Sequence, residues 1–197
     1  MGRLVVSELI AGGYSVVAFV HSSNPFEGLA GVRVVRGDIT DATQVSEALR
    51  GSEAVISTLG SWGTKSKDIV ATGAKSITEA MQASGAKRII TLTGGSALVP
   101  GEKVGFMASA QRRLLSLVAG KILSDGEKHL AILAMSGLDW TCIRAPAMSG
   151  SGSVVYQLSM RLPSLLASIP RVAVARSLVD QLSSREFIGQ APVITKL

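Results

Sequence analysis

The 197-residue chain is short of several things, and each shortage closes off a class of function. Cys142 is the only cysteine, which rules out an intrachain disulfide and any cysteine-rich metal site; no metal is expected. Aromatic residues make up 4%, too few for the stacking platforms that hold single-stranded nucleic acid. No apolar run reaches membrane-spanning length, so no membrane partner is expected. The N-terminus also lacks the charged, apolar and small-residue sections of a signal peptide, and a cytoplasmic location is the expectation.

What is present fits one soluble globular domain over residues 1–197, with 47% hydrophobic and 17% charged residues. The net charge of +6 suits an anionic partner such as a nucleotide phosphate. The basic residues are scattered, with only short pairs such as Lys87-Arg88 and Arg112-Arg113, which speaks against nucleic acid.

The pattern alternates strand and helix. "GRLVVSELIA" has helical spacing and stops at Gly12-Gly13, and "YSVVAFVH" follows as a strand. "VRVVRGDITD" reads as a strand and polar turn, followed by a helix with Asp41 as N-cap and Gly51 as stop. "EAVISTLG" is too apolar to have a wet face, as in buried parallel strands. A helix near 67–84, the strand "KRIITLTGG", a less regular stretch over 100–123, and a helix capped by Ser124 or Asp125 come next. The strand "LDWTCIRAP", the helix "RVAVARSLVDQLSS" and the strand "APVITKL" close the chain, and "SGSGS" at 149–153 reads as a loop. Such alternation predicts an α/β fold: a Rossmann-like, doubly wound, mainly parallel sheet with helices on both faces. Ligands of such sheets bind beyond the carboxyl ends of the strands.

Four strand ends therefore carry the candidate site. The first has His21, Ser22 and Ser23 where an NAD-preferring site would place an acid, a set that suits a 2′-phosphate or an ordinary exposed strand end. The second has Asp38 and Ile39, able to hold an adenine by edge and face, although Asp38 is equally a turn former. Leu59 and Gly60 end the third, and Thr93, Gly94 and Ser96 the fourth.

With "VVRGDITDATQVSEALRGSEAVISTLG", "GAKRIITLTGG" and "SGLDWTCIRAP", the chain resembles the atypical short-chain dehydrogenase/reductases. It is most similar to their NAD(P)H-binding group, which includes NmrA-like proteins and the flavin/biliverdin reductase type. The resemblance implies NADP as cofactor, with NAD second, and a small-molecule acceptor; a homo-oligomer stays open. It makes His21 the reader of the 2′-phosphate and sets Asp38 and Ile39 beside the adenine. Leu59, Gly60, Thr93, Gly94, Arg144 and Pro146 would line the ribose and nicotinamide side.

Two departures stand out. The family's first strand and glycine-rich loop are missing, leaving Gly2 at the last glycine and Arg3 as a stray cation at the helix start. In the family that strand lies centrally, so its loss would unpair several backbone bonds. At about 1 kcal/mol each these rival a domain's roughly 5–15 kcal/mol stability. The flanking strands could pair directly, another chain could supply a strand, or Met1 could be an internal residue of a longer protein; the last is the favoured expectation.

The second departure is catalytic. Neither Tyr14 nor Tyr156 has a lysine four residues on, and Gly126 replaces the histidine that the flavin-reductase type often carries after Asp125. Thr93 and Ser96 are left as candidate proton donors beside solvent. NADPH-dependent reduction of a flavin, quinone or similar planar acceptor is expected, against an NADP-sensing protein of NmrA type or a chain with impaired cofactor binding. Cys142 and Trp140 are expected in the core, His129 at the surface, the methionines in packing or a pocket wall, and Trp62 either at a ligand or as a loop anchor.

Overall fold

The computed structural model describes residues 1–61, 66–164 and 166–197, so Trp62 lies outside the described residues. The chain runs α1 (Gly2–Ala11), β1 (Val16–Val20), β2 (Val32–Arg36), α2 (Ala42–Leu49), β3 (Ala54–Ser57), α3 (Ile69–Ser84) and β4 (Arg88–Gly94). It continues as α4 (Phe106–Met135), β5 (Asp139–Ala145), β6 (Ala147–Ser149), β7 (Tyr156–Ser159), β8 (Ser168–Pro170), α5 (Arg171–Asp180) and β9 (Val193–Lys196). This is the expected α/β, mainly parallel architecture.

The main sheet has the order β3-β4-β5-β9-β7, parallel except for the β7–β9 pair. On β4, Ile89 packs toward α2, α3 and α4, while Ile90 packs toward α1 and α5. Both are fully buried, which is why this strand reads as an unbroken apolar run. β1 and β2 form a separate parallel ribbon, and β6 pairs only with β8.

The ribbon is the main surprise. β1 and β3 do not pair with each other, so direct pairing of the flanking strands is not what the chain does. A cavity of about 1140 Å³ lies between them. All four residues of β3 are consequently only half-buried, contrary to the fully buried strand that its composition predicts. The ribbon is held by helices instead: Leu9 of α1 packs against both its own core and that of the main sheet, and Phe19 of β1 reaches the α2–α3–α4 side.

Residues 106–135, labelled α4, are two helical segments that meet at a kink at Ala119, whose backbone leaves helical angles (φ −135°, ψ 26°), so the second segment starts ahead of Ser124 and Asp125. Asp125 therefore caps no helix of its own, a correction to the expected start there. Its carboxylate instead accepts hydrogen bonds from the amides of Val70 (3.2 Å) and Ala71 (2.8 Å) in the first turn of α3, and from the Ser61 hydroxyl. α3's own N-cap, Asp68, makes no such side-chain bond, so the cap arrives from 54 residues away.

His129, one turn further along α4, is buried rather than at the surface. Its sequence neighbours are polar enough to suggest exposure, but it lies on the buried face of α4 with Asp125, Gly126, Leu130 and Leu133. Cys142 and Trp140 are in the core as expected, and burial pushes the Cys142 thiol up to about 12, which makes it inert. Met107 and Met135 are exposed, against the expectation of packing.

Two stability measurements follow from these buried groups. Asp125→Ala strips the amides of α3 of their acceptor and is expected to cost about 2 kcal/mol in denaturant unfolding. An unchanged midpoint would show that solvent caps α3. For His129, burial lowers the imidazole to about 4, partly opposed by Asp125. The unfolded chain takes up this proton near pH 6.5 and the folded chain only near pH 4. Its contribution is therefore full above about pH 6.5 and falls as the pH drops toward 4, a loss of about 2 kcal/mol by about pH 4.5. His129→Leu is expected to flatten that part of the pH dependence of unfolding; an unaltered profile would contradict it.

Candidate functional site

The carboxyl ends of β1, β2 and β3 converge at the mouth of the cavity. His21, Ser22 and Ser23 follow β1, Ile39 follows β2, Thr58 and Leu59 follow β3, and all line the cavity with Met1, Gly2 and Arg3. The start of α1 is close to the end of β3: a Cβ on Gly2 would come 3.4 Å from Thr58 Oγ1. Met1 gives α1 no side-chain cap, and its carbonyl accepts from Leu4 and Val5. The first amides of α1, with their positive dipole end, are at the cavity mouth, where an anion is favoured.

His21 and Ser22 are exposed, and no acid follows them on their own strand end. The nearest carboxylate is Asp38, whose Oδ2 lies 3.7 Å from His21 Nε2. Asp38 Oδ1 accepts from the Thr40 amide and hydroxyl, both at about 2.8 Å or less, which holds its carboxyl below the usual carboxylate range. The Asp38 amide donates to Gln44 Oε1 at 2.8 Å. So Asp38 builds its own turn and also leaves one oxygen toward His21.

Ile39 and Leu59 meet over Gly73 in the middle of α3. A Cβ at Gly73 would come 2.2 Å from Leu59 Cδ1 and 3.1 Å from Ile39 Cγ1. Sequence reasoning missed this glycine. The available signal was its cost: a glycine inside a helix forfeits about 1 kcal/mol relative to alanine unless packing requires it.

The remaining candidates are elsewhere. Thr93 and Gly94 end β4, Ser96 follows in the next turn, and Pro146 follows β5; none lines this cavity. Gly60 and Gly94 have open space around them, so backbone is accessible to a ligand there. A Cβ at Gly126 would come 2.6 Å from Thr93 Oγ1, so α4 approaches the end of β4 at closest range. The Ser96 carbonyl accepts from Arg112, which also pairs with Glu127.

Arg144 is fully buried, with Nε and Nη1 bonded to its own chain and Nη2 buried without a hydrogen-bond partner. Nε donates to the Ala191 carbonyl at 2.6 Å, and Nη1 to the Ala97 carbonyl at 3.0 Å and the Glu102 carboxylate at 2.9 Å. It braces the turn after β4 rather than lining the cavity. Tyr156 donates to Asp180 at 2.6 Å on the opposite edge of the sheet, and burial followed by Asp180 pushes its phenol upward.

The donor set at the cavity mouth fits a dinucleotide: helix-end amides for a pyrophosphate, a basic and hydroxylic strand end for a 2′-phosphate, and apolar Ile39 and Leu59 for a ring. Among solved structures, the fold is similar to ChuY, an anaerobillin reductase from Escherichia coli O157:H7. The two share 19% identity with a TM-score of 0.81, over 99% of this chain and 91% of that one. It is also similar to a Veillonella parvula DSM 2008 short-chain dehydrogenase/reductase in complex with NADP (14% identity, TM-score 0.75, 98% of this chain and 88% of that). A third is a Streptococcus pneumoniae TIGR4 protein provisionally named as an NADH-flavin reductase (19% identity, TM-score 0.78, 100% and 94%). Among the described residues no helix is long and apolar enough to cross a membrane. The family model described as NAD(P)H-binding matches residues 1–185, nearly the whole chain, and the chain belongs to that family.

Proposed function

We propose that this chain uses NADPH, in preference to NADH, to reduce a flavin, quinone or similar planar acceptor. The observation that carries this reading is the convergence of α1's N-terminus, His21, Ser22, Ile39 and Leu59 on one cavity mouth. The anaerobillin reductase and the flavin reductase-like neighbour act, by their names, on extended conjugated molecules, which supports the acceptor class.

When bound, the nicotinamide supplies a hydride; the protein's part is placement. His21 and Ser22 would hold the 2′-phosphate. Ile39 and Leu59, set by Gly73, would cover the adenosine. The open backbone at Gly60 and Gly94 would let the nicotinamide lie against the ends of β3 and β4, with Thr93 beside it. Thr93 and Ser96 are hydroxyls without a base to tune them, so the proton would come chiefly from water. A planar conjugated acceptor, whose reduced form needs little acid assistance, suits such a site.

A non-catalytic NADP sensor is the second reading. The contact between Gly126 and Thr93 favours it, because no side chain able to donate a proton fits at that point.

The deciding measurement is a calorimetric titration with NADPH and NADH, followed by NADPH consumption with added flavin mononucleotide or a soluble quinone. Tighter NADPH binding and steady consumption are expected; binding without consumption would leave the sensor, and equal affinity would remove His21 from its role. His21→Ala is expected to narrow the NADPH preference by about tenfold, the worth of one charge-assisted hydrogen bond. Gly73→Ala is expected to weaken both nucleotides, by driving Leu59 and Ile39 into the site.

A further inference from the structure

The first segment of α4, residues 106–118, buries nothing. Every buried residue of α4 belongs to the second segment, from Asp125 to Leu133, and the first contributes no side chain to the three hydrophobic cores. Phe106, Met107, Leu114, Leu117 and Val118 are instead between 59% and 86% exposed. Met107, Leu114 and Val118 follow one another at steps of seven and four residues, and Phe106 and Leu117 at a step of eleven, so all five share one helical face. Soluble chains rarely leave such a contiguous apolar stripe uncovered. A helical segment of this length also gains too little from its own backbone to stand without a packed face. The stripe calls for a partner.

The charges around it say which. From Lys103 to Ser124 the chain carries four cations and no acid. Arg112 lies opposite the stripe and is engaged by Glu127 and the Ser96 carbonyl, which anchors the segment to the turn after β4. Lys103, Arg113 and Lys121 are exposed, and none of the three makes an ion pair among the described residues. A second copy of this segment would bring those cations against their own kind. A surface carrying negative charge above an apolar interior matches both halves of the pattern. We propose that the first segment of α4 lies flat on an anionic lipid surface, with its five apolar side chains in the acyl boundary and Lys103, Arg113 and Lys121 at the headgroups. The long stems of those three let their charges stay in the headgroup layer. No described helix is long and apolar enough to cross a membrane, and this contact needs none. The lack of a spanning run, which removed a membrane partner from the sequence expectations, does not bear on a helix lying in the interface plane. This inference stands apart from the cofactor reading and needs no nucleotide.

Co-sedimentation of the intact chain with lipid vesicles tests it. Vesicles of equal parts phosphatidylcholine and phosphatidylglycerol are expected to carry the chain into the pellet, while phosphatidylcholine alone leaves most of it in solution. Added salt should release it, because exposed charges are screened. Arg113→Gln with Lys121→Gln is expected to weaken binding to the mixed vesicles by at least about tenfold, from roughly fivefold per cation at the surface. Leu117→Ser with Val118→Ser is expected to abolish binding at an unchanged unfolding midpoint, since neither side chain is buried. Absence of binding to the mixed vesicles would overturn the proposal. So would equal binding to both kinds of vesicle, or either double variant binding as the unaltered chain does. Sedimentation velocity without lipid covers the other occupant. A stable dimer that the Leu117 and Val118 substitutions dissolve would give the stripe to a second copy and overturn the proposal as well.

Discussion

A strand inside a sheet must find a hydrogen-bonding neighbour on each edge, and β1 and β3 each have one. Much of this molecule can be understood as a consequence. The half-burial of β3, the cavity, and the position of the candidate site at that cavity's mouth all follow from the interruption. The ribbon of β1 and β2 keeps its place because α1 and α2 span the gap on opposite faces, with Leu9 shared between two cores. Side-chain packing thus performs a task that backbone bonding performs elsewhere in the sheet. Packing is less directional than a hydrogen-bond ladder, and it fixes the ribbon's distance from β3 less sharply.

The other half of the molecule is held in the opposite manner, by buried charge. Arg144 on β5 ties together Ala97 and Glu102 after β4 with Ala191 before β9. Arg88, at the start of β4, reaches Asp139, Thr141 and Gln181. These two arginines clamp opposite ends of the β4–β5 pair. Removing Glu102 would leave the fully buried Arg144 charge uncompensated, so the pair specifies the turn after β4 more than it adds stability. Thr93, Gly94 and Ser96 sit on that turn or next to it. The turn after β4 is thus fixed by hydrogen bonds to Arg144, whereas the β1–β2 ribbon is held to the main sheet by side-chain packing.

Much of this was legible in the sequence, for reasons that are local. Gly12, Gly51 and Gly85 end their helices as the spacing suggests, and Asp41 caps α2 through the Thr43 and Gln44 amides. Strands buried on both faces, such as β4 and β5, announce themselves as apolar runs. The failures are non-local. Nothing in the residues around Asp125 says that it caps a helix 54 residues earlier, and nothing around His129 says that it shares the buried face of α4. The short strands β6, β7 and β8 depend on partners distant in sequence, and "SGSGS" conceals the segment that joins β6 to β7. For Arg144 the family resemblance implied a place near the nicotinamide; the structure turns Nε and Nη1 to the protein and leaves Nη2 buried without a hydrogen-bond partner.

The arrangement of acids and bases bears on what chemistry the fold can support. A tyrosine serves as a proton donor when a neighbouring cation lowers its pKa, and Tyr156 experiences the reverse, with burial and Asp180 both raising it. His129 is buried and uncharged at neutral pH, and Cys142 is inert in the core. Thr93 is confronted by the bare backbone of Gly126, so the hydroxyl has no tuned partner on α4. Tyr156, His129, Cys142 and Thr93 are thus engaged at the far edge, buried in the core, or an untuned hydroxyl, and the exposed His21 stands at the end of β1, away from Thr93 and Gly94. Reactions limited by proton delivery to an alkoxide would proceed poorly here. Reactions limited by the placement of one flat ring over another lose little, because position, not acidity, supplies most of their acceleration. The same reasoning makes the interrupted sheet matter for function, since placement is what a loosely braced ribbon provides least.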